Sequence, residues 1–411
     1  MTPPAGWLDL PPDTGFGLEN LPLGVFSGTA DDRRRVGVAV GDHVLDVSAL
    51  DVPGRAELGT GSLNAFLAVG RPTWDALRDR VLDLLTDPVH RAVVEPHLHP
   101  RAGVTLHLPI EVADYVDFYS SQHHAENLGR ILRPGAPALT PNWRHQPIGY
   151  HGRAGTVAVS GTPVVRPHGQ RRVAGAAGDD APTFGPSERL DLEAEVGFVV
   201  GVPSEPGRPV AASDFAEHVF GVCLVNDWSA RDLQAWETVP LGPFTGKSFL
   251  TSMSPWVVPL TALEGARVDP PERDTELLPY LRDDGLRWGL DLTLEVRLNG
   301  EPVSHPPFAA MYWTPPQQLA HLTANGAALR TGDLFASGTV SGPEPGQLGS
   351  LIELSANGAE PLTLADGSRR TFLEDGDEIV LSATAPAPDG TRIALGEVRG
   401  RVVGVTPERA G

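Results

Sequence analysis

Cysteine is nearly missing from this sequence. The single thiol, Cys223, permits no intramolecular disulfide and excludes thiolate zinc sites and iron–sulfur clusters within one chain. Apolar runs are short too, none approaching the ~20 residues of a membrane-spanning helix. The N-terminal MTPPAGWLDLPPDTGFG shows no basic stretch followed by an apolar core, so no secretory signal is expected. Positive charge is scarce: Lys+Arg is 32 against Asp+Glu 52, a net charge of −20. So acidic a chain repels phosphate backbones, which argues against nucleic acid or anionic membrane as a partner. A small anionic substrate stays compatible, given a local cationic pocket. Lysine is the scarcest charged residue, because Lys247 is the only one among those 32 basic residues. Where arginine has replaced lysine everywhere else, the survivor is either a chance remnant on the surface or sits where a compact ammonium is required and a planar guanidinium does not fit. These absences describe a soluble, cytoplasmic, globular protein.

Glycine and proline are plentiful, 46 and 40 residues, and both interrupt long helices. A mainly β fold follows. VGVAV (36–40), a Gly41–Asp42 turn and HVLDVS (43–48) read as a hairpin. TWDALRDRVLDLLT (73–86) spaces Trp74, Leu77, Val81 and Leu84 or Leu85 as a helix, with Thr73 as N-cap. Residues 1–112 therefore form a small β-rich domain, and 113–411 a large mixed β domain that carries the function. The larger part strings together short strands such as TVAVSG (156–161), LEAEVGFVVG (192–201), LDLTLEVRLNG (290–300) and DEIVLSAT (377–384). Helices are expected after Ser120 and over 316–326. Segments 166–189 and 264–286 lack periodicity and read as exposed loops.

Four stretches could carry chemistry. In RLDLEAEVGFVVG (189–201), an extended chain puts Asp191, Glu193 and Glu195 on one face. A solvated acidic face is one reading. The other is a partly buried site neutralised by a cation, and oxygen ligands without thiolate favour Mg²⁺ or Ca²⁺ over zinc. DYVDFYSSQHHAENLG (114–129) combines carboxylates, two tyrosines and a histidine pair, the usual makings of a general base, or else merely a capped helix start with surface histidines. VNDWSARDLQAWE (225–237) places Asp227, Arg231 and Gln234 on one face if helical, either as a surface Asp–Arg pair of little energetic weight or as part of a site with the lone lysine that follows soon after. GDLFASGTVSGPEP (332–345) is glycine-rich, either to let backbone approach a ligand or to make a β turn.

Together, DYVDFYSSQHHAENLG, PNWRHQPIGYHGRAGTVAVSGTP, LDLEAEVGF, VNDWSARDLQAWETVPLGPFTGKSF, MYWTPPQQLAHLTANG and LRTGDLFASGTVSGPEP closely resemble the fumarylacetoacetase family. NLPLGVFS and VGVAVGDHVLDVS resemble its first domain, which the wider acylpyruvate hydrolase superfamily usually lacks. The resemblance implies a small SH3-like β-barrel ahead of a large mixed β-sandwich or β-roll domain, a homodimer, and metal-dependent cleavage of a small β-diketo acid. By motif position it implies metal carboxylates Asp117, Glu193, Glu195 and Asp227, with Lys247 and Thr251 beside the Mg²⁺ or Ca²⁺. It makes His124 the general base, with His123 as runner-up, and has Glu353 orient it. Tyr119, Arg133, Tyr150, Gln234 and Thr339 would contact substrate, with Arg231 supporting Gln234 and Lys247. Thr238 departs from the tyrosine of the animal members, removing one aromatic contact. That departure keeps open a smaller 2,4-diketo acid as substrate of an acylpyruvate hydrolase or decarboxylase. A non-enzymatic alternative is a β scaffold stiffened by Ca²⁺.

Overall fold

A computed structural model describes residues 6–404 apart from 12, 30, 173–180 and 284. The chain is mainly β, with short helices between strands. The expected hairpin pairs Arg35–Val40 with His43–Asp46. Gly41 makes its turn at φ +53°, a left-handed conformation that suits glycine. Val36, Val38 and Val40 face one core, while Ala39 and Val44 face a second with Trp256. Both faces of this hairpin are therefore covered.

Leu23–Gly28 pairs with Arg35–Val40, with Val104–His107 and, at its start, with Trp256–Pro259. Through that last pairing the N-terminal strands continue into one thirteen-stranded sheet. The helix Arg71–Thr86 buries Trp74, Leu77, Val81, Leu84 and Leu85. Each such side chain contributes about 1.5–3 kcal/mol on burial. The helix starts two residues before the expected point. Gly70 is its N-cap, and Pro72 occupies the first turn, where a missing N–H costs nothing. Thr73 is thus inside the helix and caps nothing.

The strand Ala194–Val200 lies between Val219–Asp227 and Leu334–Ala336, and the latter runs parallel to Tyr115–Phe118. Ala194, Val196, Phe198 and Val200 point into the main core, shared with Leu294, Leu381 and Leu395 of a five-stranded sheet. Val199 points the other way, into the core built with the N-terminal helix. Period two puts Glu193 and Glu195 on that second side, at the N-terminal end of a strand buried throughout. Segment 166–189 is not simply a loop: His168–Arg171 and Thr183–Pro186 pair as hairpin arms, Gly169 lying close against Leu233. Arms of four residues are too short to show periodicity among Arg, Gly and Pro. Residues 173–180 lie outside the described residues. No helix among the described residues is long and apolar enough to cross a membrane.

Candidate active site

Three strand ends converge on a cluster of carboxylates. Asp117 sits on Tyr115–Phe118, Glu195 on Ala194–Val200 and Asp227 at the end of Val219–Asp227, with Glu193 just ahead of its strand. One oxygen from each of these four lies within 4.8 Å of the others, and all four residues are buried. Asp117 Oδ1 and both oxygens of Glu195 are buried with no hydrogen-bond partner. Burial, reinforced by repulsion from neighbouring carboxylates, holds the Asp117 and Glu195 carboxyls well above the usual range. Buried oxygens of this kind are costly unless a cation takes them up. Four carboxylates without nitrogen or sulfur suit a hard divalent ion.

Two fixed cations border the cluster. Lys247 Nζ donates to Glu193 and, at 2.8 Å, to Asp227 Oδ2. Arg231 Nη1 reaches Glu193 Oε1 at 2.7 Å, and Arg231 Nε donates to Asp191 Oδ2 at 2.8 Å. Burial would raise the Glu193 carboxyl, but Lys247 and Arg231 overcome it and hold Glu193 below its ordinary value. Thr251 Oγ1 donates to Asp227 Oδ1 at 3.0 Å from the neighbouring strand. Asp227, Arg231 and Gln234 do not share a helix face as expected. Asp227 ends a strand and the helix begins at Arg231, because Ser229–Ala230 first pairs with Leu190–Asp191. They are neighbours through Glu193 instead, with Arg231 Nη1 also 3.3 Å from Gln234 Oε1.

The helix Gln122–Leu132, capped by Ser121, turns His124 inward. His124 Nδ1 and Glu353 Oε2 are 2.7 Å apart across 229 residues of sequence. Burial pushes the Glu353 carboxyl up, but His124 and hydrogen bonds from Asn127 and Ser350 outweigh it and hold it below the usual range. An ionised Glu353 only accepts, so the proton between the two lies on His124 Nδ1, and in the neutral imidazole that tautomer leaves the lone pair on Nε2. His123 is half-buried on the same helix. Tyr119 packs edge-on against His124, ring centres 5.3 Å apart.

A cavity of about 480 Å³ opens here, lined by Tyr119, Arg133, Arg231, Gln234, Thr238 and Ile352 among others. Arg133 is exposed, and its guanidinium is tethered to the Ala138 carbonyl at 2.7 Å. Tyr150 is not in that cavity. It donates to Asp227 Oδ2 at 3.0 Å and lines a smaller cleft of about 200 Å³ with Tyr115, Lys247 and Thr251. Thr339 is buried, its hydroxyl without a partner. Sequence reasoning missed the supports of Glu353: Asn127, Ser341 and Ser350 all donate to it, at 3.0, 3.0 and 2.7 Å. Ser341 lies in SGTVSGPEP and Asn127 in HHAENLG, so both were inside motifs already noted.

Residues 114–403 match the family model described as fumarylacetoacetate hydrolase C-terminal, and residues 19–109 the one described as fumarylacetoacetase N-terminal. The chain belongs to the fumarylacetoacetase family. Fumarylacetoacetase of Homo sapiens is 44% identical to it, covering 95% of this chain and 97% of the relative. The Arabidopsis thaliana fumarylacetoacetase is 41% identical over 98% of this chain and 99% of its own. Solved structures show the same fold at lower identity. The fumarylacetoacetate hydrolase of psychrophilic Exiguobacterium antarcticum has a TM-score of 0.54 at 20% identity, covering 94% of this chain and 100% of its own. Maleylpyruvate hydrolase of Sphingobium sp. SYK-6 has a TM-score of 0.52 at 18% identity, with the same coverage. Within the fumarylacetoacetase family, then, this chain sets an acidic cluster beside a buried His–Glu pair.

Proposed function

We propose that this chain hydrolyses fumarylacetoacetate to fumarate and acetoacetate. The observation that carries the reading is the buried His124–Glu353 pair close to four carboxylates, three of whose oxygens have no partner. Asp117, Glu193, Glu195 and Asp227 would hold Mg²⁺ or Ca²⁺, with Lys247 and Thr251 beside it. Such an ion, when bound, supplies Lewis-acid polarisation to a dicarbonyl.

The chain's own groups perform the rest. His124 Nε2 takes a proton from water, whose oxygen bonds to the keto carbon of the fumaryl group. Glu353 steadies the imidazolium that results, as the buried carboxylate of a hydrolytic triad does. Arg231, Lys247 and Gln234 donate toward the oxyanion of the tetrahedral adduct. The bond to the carbon between the two carbonyls then breaks. Its electron pair leaves as the enolate of acetoacetate, and the imidazolium proton is returned to that carbon. Tyr119 and Arg133 hold a substrate carboxylate in the larger cavity, the local positive charge that an acidic protein needs. Burial, followed by the charges of Glu353 and Glu193, raises the Tyr119 phenol above its ordinary value, so it remains a donor. Tyr150 and Thr339 contact substrate from the cleft and the buried side.

The same reading divides the chain into domains at 1–112 and 113–411. It gives the first an SH3-like barrel form, although among the described residues its five strands, ordered Leu98–Pro100, His43–Asp46, Arg35–Val40, Leu23–Gly28, Val104–His107, do not close into a ring. It also makes the protein a cytoplasmic homodimer at the end of tyrosine and phenylalanine catabolism. Thr238 on the cavity wall favours one rival, hydrolysis of a smaller 2,4-diketo acid. Turnover of fumarylacetoacetate and acetylpyruvate by the purified protein separates the two. Preference for fumarylacetoacetate supports the proposal, and preference for acetylpyruvate overturns it.

A further inference from the structure

Asp191 lies two residues before Glu193, yet its oxygens turn away from the carboxylate cluster. Oδ1 accepts the Leu192 N–H at 2.8 Å and the Leu351 N–H at 2.7 Å. Oδ2 accepts the Ile352 N–H at 3.1 Å and Arg231 Nε at 2.8 Å. The side chain is fully buried. Leu351 and Ile352 open the short helix Leu351–Leu354 that carries Glu353. One carboxylate therefore fixes both the element that presents the histidine's partner and the guanidinium beside Glu193 and Gln234. Four donors onto two oxygens saturate the group, so it has no free lone pair to offer an ion. The antiparallel pairing of Leu190–Asp191 with Ser229–Ala230 sets its distance from Arg231.

We infer that Asp191 is a positioning residue for the reaction, locking the Glu353 helix and Arg231 into one geometry. This rests on the hydrolase reading above. The Asp191→Asn variant is close to isosteric, but its amide nitrogen would meet two donors, Ile352 N–H and Arg231 Nε–H, where Oδ2 accepts both. Displacement of a catalytic group by about 1 Å can cost on the order of 10²-fold in rate. The experiment measures kcat and KM for fumarylacetoacetate, Ca²⁺ affinity by calorimetry, and melting temperature, for wild type and variant.

The expected result is a fall in kcat on the order of 10²-fold with KM little changed. Ca²⁺ affinity should stay near wild type, since Asp191 is not a ligand. Adding Asp191→Asn to Glu353→Gln should cost less than it costs alone, because the two act through one pair. A kcat near wild type overturns the inference, as do losses that multiply fully in both Glu353→Gln and Arg231→Gln backgrounds. A fall in Ca²⁺ affinity matching the fall in kcat also overturns it, making Asp191 a ligand. If the Asn variant does not fold, Asp191→Glu replaces it, keeping the charge while shifting the oxygens by one methylene; unchanged kcat in that variant overturns the inference. If wild type itself does not turn over fumarylacetoacetate, the hydrolase reading fails and this one falls with it.

Discussion

Replacing Lys247 tests why the chain keeps a single lysine. Its ammonium bridges Glu193 and Asp227, and none of the three side chains is more than 6% exposed. Lys247→Met leaves two buried carboxylates short of a cation, and breaking such a pair costs about 3–5 kcal/mol. With an unfolding entropy of roughly 2.1 cal/mol/K per residue over 411 residues, that loss lowers the melting temperature by about 3.5–6 °C. Lys247→Arg keeps the charge, so calorimetry should find it less destabilised than the Met variant. Activity should not follow stability. A planar guanidinium cannot reproduce a point charge placed between two carboxylates. Losing one oxyanion donor typically costs about 2.7–4 kcal/mol of barrier, or 10²–10³-fold in kcat. Both variants should lose about that much in a diketone absorbance assay. An Arg variant with wild-type turnover would refute the role assigned to Lys247.

His124→Ala should abolish hydrolysis while leaving cation affinity nearly intact, whereas His123→Ala should retain most activity; the reverse pattern would move the base to His123. Cation affinity should rise with pH, because the raised Asp117 and Glu195 carboxyls must lose protons to bind an ion. Calorimetry in buffers of different ionisation enthalpy would detect that release, and a proton-neutral titration would contradict it. The same two groups, with folded pKa values above the unfolded ~4, stabilise the cation-free protein fully below that pH. Their contribution is lost as pH rises through the folded values. Chelated protein should therefore melt progressively lower from acid to neutral pH relative to cation-loaded protein, and parallel curves would count against the cage.

Local pattern made part of this legible. The 36–46 hairpin and the helix over 71–86 follow from residues within a few positions of each other, and only the helix start was misplaced, since proline after glycine fits a first turn better than threonine fits a cap. Glu193 and Glu195 shared a face because strand periodicity is strict. Asp191 broke from that face where the chain switches partner to Ser229–Ala230, a long-range pairing invisible in the local pattern. For the same reason Asp227 and Arg231 could not be told apart from one helix. Motif resemblance named His124 and Glu353, but not the serines that hold Glu353, nor that Tyr150 and Tyr119 face different cavities.

The most direct test follows the diketone absorbance of fumarylacetoacetate on purified protein, before and after chelation with EDTA and again after adding back Mg²⁺ or Ca²⁺. Turnover should collapse on chelation and return with the ion. Turnover indifferent to EDTA would contradict metal dependence.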